Sequence, residues 1–340
     1  MQAGRRKTGK VTMQDIADRL GISKVSVSKA FSGKGSISAE LRRSIFSVAR
    51  DMGYERAPSE SINRFAFIVP KHFFLETDAF YSDMFDQFSR ECQKIGSVAT
   101  LVIVSQAERD QMRLPVAFQM EEFTGLAVAG EMPDDYLSLL EKQGLPMILI
   151  DFDSSVVKAC SLLTENYFWG YAVTKRLIGL GHRRIGFVGQ PGATHSITDR
   201  YFGYRSALLT HGLPFQESWN LINNDTQTGL YRSDIALPAE MPTAFVCHCD
   251  MSAHYLLITL NQHGLRCPED ISIVSFDNTR LAATCTPALT SVDIDTKAFA
   301  HQAIVLLTSE EKRRSASHIY MPAALLERQS DGPAPEGRTL

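Results

Sequence analysis

Long apolar runs and paired cysteines are both missing from this sequence. No window approaches the ~18 uninterrupted apolar residues that a membrane helix needs, and the basic start MQAGRRKTGK is not followed by the apolar core of a signal peptide. We therefore expect a cytoplasmic protein with no membrane contact. The cysteines lack the spacing of a zinc site, so we expect reduced core thiols. They are Cys92, Cys160, Cys247, Cys249, Cys267 and Cys285.

The signatures of common enzymes are also missing. The chain has no G-x-G-x-x-G fingerprint, no G-x-S-x-G elbow, no H-E-x-x-H and no P-loop lysine. His182, between a predicted helix and a strand, fits a turn better than proton transfer. Cys247 and Cys249 would share one face of a strand while His248 points to the other, which disfavours a metal site. We expect no enzyme, metal or cofactor.

Charge is distributed unevenly along the chain. Residues 1–64 carry 13 Lys and Arg against 6 Asp and Glu, a net +7, whereas residues 65–340 carry 22 against 32, a net −10. A basic segment is often only a solubilising tail, but this one coincides with the helical motif described next. Its charge predicts contact with a polyanion and binding that weakens with salt.

Residues 12–32 (TMQDIADRLGISKVSVSKAFS) have the pattern of two short helices joined by a tight turn. Thr12 and Asp15 fit a capping box ahead of the first helix, and Gly21 ends it. Apolar residues at i, i+3, i+4 and i+7 predict its buried face. These residues are Met13, Ile16, Ala17 and Leu20.

The second helix of this motif is the predicted DNA reader. Ser23 can cap it, and Val27 and Phe31 point inward. Lysines can bind guanine edges or phosphates, and a valine can contact a thymine methyl, so a helix-turn-helix is indicated. An ordinary pair of surface helices is the alternative. The predicted DNA-binding residues are Thr12, Ser23, Lys24, Val25, Ser26, Ser28, Lys29 and Ser32.

From Phe65 onward, short apolar runs such as FAFIVP, ATLVIV, GLAVAG and PMILID alternate with helical patterns, and a second such series begins near Glu165. This alternation predicts parallel sheets with both faces covered, arranged as two α/β halves with a cleft between them. Ligands bind at the carboxyl ends of parallel strands. The polar residues predicted there are Asp151, Arg200, Asp250 and Asp277, with Phe80 and Tyr81 as an aromatic wall.

Several segments in order resemble the lactose-repressor (LacI/GalR) family. Residues 12–54 resemble its headpiece, with a third helix at about residues 38–51. Later matches are GHRRIGFVG, DRYFGYRSAL, PEDISIVSFDN and TPALTSVDID. The resemblance implies an all-α helix-turn-helix headpiece and a two-lobed α/β core of the type I periplasmic-binding-protein kind, with Rossmann-like halves. It also implies effector contacts at Arg200, Asp250 and Asp277, and less uniformly at Asp151.

The resemblance sets the expected domain boundaries. They are a headpiece over 1–54, a linker over 55–64, a core over 65–330 and a disordered tail over 331–340. Within the core, lobe 1 is expected over 65–163 and 292–321, and lobe 2 over 164–291 and 322–330. The chain departs from its family in a shorter linker, which puts a minor-groove hinge helix in doubt, and in Cys249, which replaces a usual asparagine and is expected to tune effector choice.

Three hypotheses remain open at this point. The first is a homodimeric DNA-binding transcriptional regulator, expected to be a repressor, whose affinity for a double-stranded operator changes when a small molecule occupies the cleft. A sugar or glycoside is the first choice for that molecule, and a nucleobase or phosphorylated metabolite is the second. The second is a metabolite-binding or enzymatic α/β protein whose headpiece serves a partner. In the third, the short linker weakens DNA binding and activity depends on a protein partner.

Overall fold

A computed structural model describes residues 11–32, 39–54, 62–75, 79–223, 231–232 and 234–335. The chain divides into two compact units, Met1–Ser61 and Ile62–Leu340, and each is described by itself. Most of the predicted linker lies outside the described residues, so the question of a hinge helix does too. Among the described residues, no helix is long and apolar enough to cross a membrane.

The described residues of the first unit form three helices, α1 (Met13–Leu20), α2 (Lys24–Ser32) and α3 (Ala39–Asp51). Phe31 lies at the centre of their packing, with ring centroids 5.1 Å from Phe46 and 5.4 Å from Tyr54. The inward faces of all three helices supply the buried core. These residues are Ile16, Ala17, Val27, Ala30, Phe31, Ile45 and Ala49.

Lobe 1 of the second unit is built on a parallel six-stranded sheet in the order β11-β5-β4-β3-β1-β2. Its strands are β1 (Arg64–Pro70), β2 (Val98–Val104), β3 (Gly125–Ala129), β4 (Met147–Ile150), β5 (Cys160–Leu163) and β11 (His318–Tyr320). Its helices are α4 (Lys71–Leu75), α5 (Phe80–Lys94), α6 (Gln106–Asp110), α7 (Ala117–Met120), α8 (Asp134–Glu141), α13 (Thr296–Thr308) and α14 (Glu310–Ser315).

Both faces of this sheet are buried, as the unbroken apolar runs predict. Along β1, Phe65 and Phe67 pack with α5 and α13 on one face, while Ala66 and Ile68 pack with α8 on the other. The carboxyl ends of the central strands are therefore the places where polar side chains leave the sheet.

Lobe 2 has a second six-stranded sheet in the order β12-β10-β9-β8-β6-β7, in which β12 is antiparallel to β10. Its strands are β6 (Ile185–Val188), β7 (Asn220–Leu221), β8 (Ala244–Cys247), β9 (Ser272–Asp277), β10 (Thr290–Ile294) and β12 (Ala323–Leu326). Its helices are α9 (Asn166–Gly179), α10 (His195–Thr210), α11 (Asp250–Gln262) and α12 (Arg280–Thr284).

Two features of lobe 2 differ from the expectation. Residues 290–293 of β10 pair with β9, and Ile294 pairs with Ala323 of β12, so the chain returns to lobe 1 after Ile294 and not at residue 292. The segment 331–335, expected to be disordered, is docked. Asp331 Oδ2 lies 2.6 Å from Arg176 Nε, and the Ala334 amide donates to the Leu180 carbonyl at 2.9 Å. The prediction of disorder used only the composition of the segment itself, but the residues that bind the segment belong to lobe 2.

Candidate functional site

The start of α1 is fixed by the predicted capping box. The Asp15 amide donates to Thr12 Oγ1 at 3.3 Å, and the Thr12 amide donates to Asp15 Oδ2 at 2.7 Å. These bonds from Thr12 hold the pKa of the Asp15 carboxyl below its ordinary value. Gly21 ends the helix at φ +66°, a conformation that glycine adopts without steric cost. Thr12 therefore caps the amino terminus of α1.

One face of α2 is exposed and the other is buried. Val25 is 62% exposed, whereas Val27 is fully buried and Phe31 is 9% exposed. Residues four apart share a helix face, so Val27 and Phe31 hold α2 against the other helices. The exposed face carries the predicted reader residues Lys24, Val25, Ser28 and Lys29.

The remaining predicted headpiece residues are placed as follows. Ser23 Oγ accepts from the Ser26 amide at 3.0 Å and lies 2.9 Å from Ser26 Oγ, so Ser23 caps α2. Ser32 is the last residue of α2, and its side chain lies outside the described residues. The exposed face of α2 presents two lysines and one valine, with serine hydroxyls beside them. These are the kinds of group that recognition of phosphates and base edges requires.

The second candidate site lies between the lobes. Asp151 follows β4 at φ +70°, and Tyr81 Oη donates to its Oδ2 at 2.9 Å. Its other oxygen, Oδ1, is sealed from solvent and has no hydrogen-bond partner among the described residues. Burial raises the pKa of Asp151, and the charge of Arg200 in lobe 2 opposes that shift. A carboxylate with an unused oxygen at a strand end is suited to accept a ligand hydroxyl.

Arg200 is the polar centre of lobe 2 at the cleft. Its side chain is 4% exposed, and its Nη2 lies 3.2 Å from Asp277 Oδ1. Its Nε donates to Asn166 Oδ1 at 2.8 Å, its Nη1 donates to the His248 carbonyl, and its guanidinium stacks 4.4 Å from the Phe276 ring centroid. These contacts fix both the plane and the position of the guanidinium.

Asp277 ends β9 at φ +93°, and the next residue, Asn278, also has positive φ. This local geometry turns the chain sharply beside the Arg200 guanidinium. The structure therefore brings together Arg200 and Asp277 as one ion pair in lobe 2 and Tyr81 and Asp151 as one hydrogen-bonded pair in lobe 1.

Asp250 does not have the cleft-facing role expected of it. It is 1% exposed, and its oxygens accept hydrogen bonds from Ser275 Oγ at 2.5 Å, Ser291 Oγ at 2.7 Å and the Thr279 amide at 2.7 Å. Thr279 Oγ1 also donates at 3.0 Å. Burial raises the pKa of Asp250, and these donors oppose the shift. With its acceptor positions occupied by lobe 2 itself, Asp250 joins strands and does not present an oxygen to a ligand.

Cys249 and Phe80 are likewise enclosed. Cys249 is 3% exposed and its Sγ caps α11, accepting from the Ser252 amide at 3.5 Å. Phe80 is 6% exposed within the lobe 1 core and meets the Tyr81 ring edge-on at 5.1 Å. Both side chains are buried, so the predicted aromatic stacking by Phe80 lacks an exposed ring face.

The structure also adds residues that the sequence patterns did not single out. Asn166, at the start of α9, orients Arg200, and Glu131 and Asp153 of lobe 1 contact His195 at the start of α10. Each of these residues is polar and follows or precedes a buried strand, but many polar residues do. Their partners are tens of positions away, so spacing alone carries no signal.

Two further expectations from the sequence concern the role of His182 and the presence of a metal site. His182 is fully buried, with Nδ1 2.9 Å from Thr243 Oγ1 and Nε2 3.0 Å from the Gly332 carbonyl, which is the structural role expected for it. The described part of the chain contains no group of three or more acidic, histidine or cysteine side chains that could hold a metal ion.

Comparison with known proteins gives two family matches. Residues 12–57 match the model of the bacterial regulatory proteins of the lacI family, and residues 174–330 match that of the periplasmic binding protein-like domain. The HTH-type transcriptional repressor PurR of Klebsiella pneumoniae (strain 342) is 26% identical over 336 residues, which cover 95% of this chain and 98% of the relative. PurR of Erwinia tasmaniensis is 28% identical over 341 residues, with the same coverage.

Solved structures share the fold. A complex of the transcriptional regulator CelR with cellobiose is 21% identical, covers 94% of this chain and 100% of that chain, and has a TM-score of 0.67. The lac repressor dimer bound to operator and the anti-inducer ONPF is 17% identical, with 95% and 100% coverage and a TM-score of 0.66. A regulator from Mycobacterium smegmatis is 25% identical, with 79% and 99% coverage and a TM-score of 0.65.

Proposed function

This chain belongs to the LacI family of bacterial regulatory proteins, and we propose that its headpiece reads an operator while a small molecule held between the two lobes controls operator affinity. The expected logic is that of a repressor, as in the PurR relatives. The observation that carries the proposal is the division of α2 into a buried face and an exposed face that bears Lys24, Val25, Ser28 and Lys29.

DNA binding as a homodimer follows from the size of the reader. A single three-helix module buries too little surface for tight and specific binding, so two headpieces on a near-palindromic operator are needed. The lac repressor, which has the same fold, binds its operator as a dimer. A protein of this kind acts where the chromosome is, and we therefore propose a cytoplasmic location.

To test the reader, the full-length protein is used to select operator sequences from random duplexes, and the selected duplex is then titrated with variants. Lys29→Ala should weaken binding, and Val25→Ala should relax the preference at one base position by about 1–3 kcal/mol of discrimination. Lys175→Ala removes the same charge from an exposed position of α9 in the second compact unit and should change nothing. Absence of salt-dependent, sequence-selective binding by the wild type would refute the proposal, and binding that required an added protein would favour a partner-dependent regulator.

For the effector, we propose a polyhydroxylated molecule of the sugar class, bound at the cleft by Asp151, Arg200 and Asp277 with Tyr81 in support. A fixed guanidinium and carboxylates offer directed hydrogen bonds in both senses, which is what vicinal hydroxyls require. The CelR structure contains cellobiose, which supports the same class here.

A thermal-shift screen of sugars, glycosides and nucleobases with the full-length protein tests this assignment. A binding sugar should raise the unfolding temperature of the wild type, and Asp151→Asn should reduce that rise because it replaces an acceptor oxygen. Asp250→Asn is not a useful cleft probe, since Asp250 is tied to lobe 2. Stabilisation by a nucleobase and by no sugar would overturn the sugar class, and turnover of any ligand would revive an enzymatic function.

A further inference from the structure

Two acidic side chains of lobe 1 meet the first turn of α10 in lobe 2. Glu131 follows β3, Asp153 follows β4, and His195 is the first residue of α10. The His195 amide donates to Glu131 Oε2 at 2.8 Å, and its Nδ1 lies 3.1 Å from Glu131 Oε1. Its Nε2 lies 3.9 Å from Asp153 Oδ1. These contacts join the two lobes directly.

The chemistry of this contact has two parts. The His195 amide lies in the first turn of a 16-residue helix, where amides have no acceptor within the helix itself. The helix dipole stabilises a carboxylate at this position. That part requires no charge on the imidazole. The second part is the approach of the ring to both carboxylates, which becomes an ion pair when the ring is protonated.

Asp153 is held in place from its own lobe. Its Oδ2 lies 3.4 Å from His318 Nε2, at the start of edge strand β11. The side chains are partly exposed, 58% for His195, 32% for Glu131 and 42% for Asp153, so the contact lies at the rim of the cleft. It is separate from the Arg200–Asp277 pair, which is almost fully buried.

We propose that Glu131, Asp153 and His195 form a rim latch, a set of positioning residues that favours the closed arrangement of the lobes before any effector binds. The inference rests on the proposed function, because closure matters only for a protein whose lobes enclose a ligand. A ligand that binds the closed state gains affinity in proportion to the fraction of molecules already closed. The rim latch therefore raises effector affinity without contacting the effector.

The size of the effect follows from the exposure of the pairs. Exposed ion pairs contribute little, so Asp153→Asn should raise the ratio of open to closed molecules about twofold. Glu131→Gln removes the carboxylate charge both from the His195 ring and from the start of α10, so the ratio of open to closed molecules should rise roughly five- to tenfold. His195→Gln keeps the amide contact and should fall between these two values.

The test measures the distance between the lobes in the full-length protein, without DNA or effector. Dyes are attached through an unnatural amino acid at the exposed positions Met120 of lobe 1 and Leu209 of lobe 2, and the labelled chain is diluted into unlabelled protein. Single-molecule energy transfer then counts open and closed molecules. Asp86→Asn is the matched control, since it removes one lobe 1 charge whose carboxylate pairs with Arg90 within its own helix.

The proposal predicts more open molecules for Glu131→Gln and no change for Asp86→Asn. It also predicts that the double variant of Glu131→Gln with His195→Gln opens less than the two single effects multiplied together. An unchanged distance distribution in Glu131→Gln, or effects that simply multiply in the double variant, would overturn it. Operator binding is measured separately on the same proteins. If the wild-type protein does not bind an operator, the proposed function is wrong, whereas the lobe distances still test the rim latch.

Discussion

Replacing Arg200 by methionine should destabilise lobe 2 far more than the loss of one surface charge. Arg200 and Asp277 have only 4% and 8% of their side chains exposed, and the guanidinium also serves Asn166 and the His248 carbonyl. Methionine fills a similar length but leaves these acceptors without the guanidinium. Removing one partner of a buried ion pair typically costs about 3–5 kcal/mol of unfolding free energy, and this site falls in that class.

Both tryptophans lie in lobe 2, Trp169 in α9 and Trp219 in the buried core, so intrinsic fluorescence during urea unfolding reports on this lobe. Arg205→Met on the same helix is the control. Arg205 stacks 3.5 Å from the Phe215 ring centroid, and loss of a partly exposed cation–π contact costs about 0.5–1 kcal/mol. The double variant of Arg200→Met with Asp277→Asn should lose less than the sum of the single changes. Equal losses for Arg200→Met and Arg205→Met would refute the buried-pair argument.

Three further predictions concern positions around the two sites. Gly203→Ala should cost about 1–3 kcal/mol of unfolding free energy because its Cβ would lie 2.1 Å from the Tyr167 carbonyl oxygen, whereas Gly179→Ala, with open space around it, should not destabilise lobe 2 by urea unfolding. Tyr81→Phe should cost about 1–3 kcal/mol of unfolding free energy, because Asp151 loses its donor in a buried site. Because both tryptophans lie in lobe 2, urea unfolding is here followed by far-UV circular dichroism, and Tyr171→Phe, whose hydroxyl is exposed, should be near neutral in the same measurement. Thr12→Ala should lower α1 stability by about 1 kcal/mol at neutral pH, because it removes the hydroxyl that accepts from the Asp15 amide and donates to the Asp15 carboxylate. Bonds from Thr12 lower the pKa of Asp15, so the part of this loss that involves the carboxylate should be present at neutral pH and disappear as the pH falls through the folded pKa of Asp15. Hydrogen exchange of α1 amides at several pH values measures both parts, and a pH-independent difference would contradict the prediction.

The elements of this fold were predictable where local pattern determines them. The apolar spacing of α1 and the inward pair Val27 and Phe31 on α2 appear in the structure as expected, because a helix face is set by residues three and four apart. Strands β1 to β4 of lobe 1 were predicted from their continuous apolar runs, whereas β5 and β11 of the same sheet were not predicted. Strand β7, with two residues, offers no such run and was not predicted.

The lobe boundary at β10 and the docking of the segment 331–335 could not be predicted from local sequence patterns. The segment 331–335 has few apolar residues of its own, yet Arg176 and the Leu180 carbonyl bind it. Similarly, β10 remains in lobe 2 because its residues pair with β9 on one side and β12 on the other. In both cases the deciding partner lies far away in sequence, and composition has no access to it.

The strand-end aspartates show most clearly where such reasoning stops. Asp151, Asp250 and Asp277 all directly follow or end a predicted apolar strand, and each looks equally suited to face a ligand. Asp151 and Asp277 leave their strands at positive φ, +70° and +93°. Asp250 instead begins α11 and is enclosed by donors 25, 29 and 41 positions away in the chain: Ser275, Thr279 and Ser291. Whether a carboxylate serves a ligand or the scaffold is therefore decided by the donors that folding brings to it, and only the arrangement of β9 and β10 beside α11 reveals them.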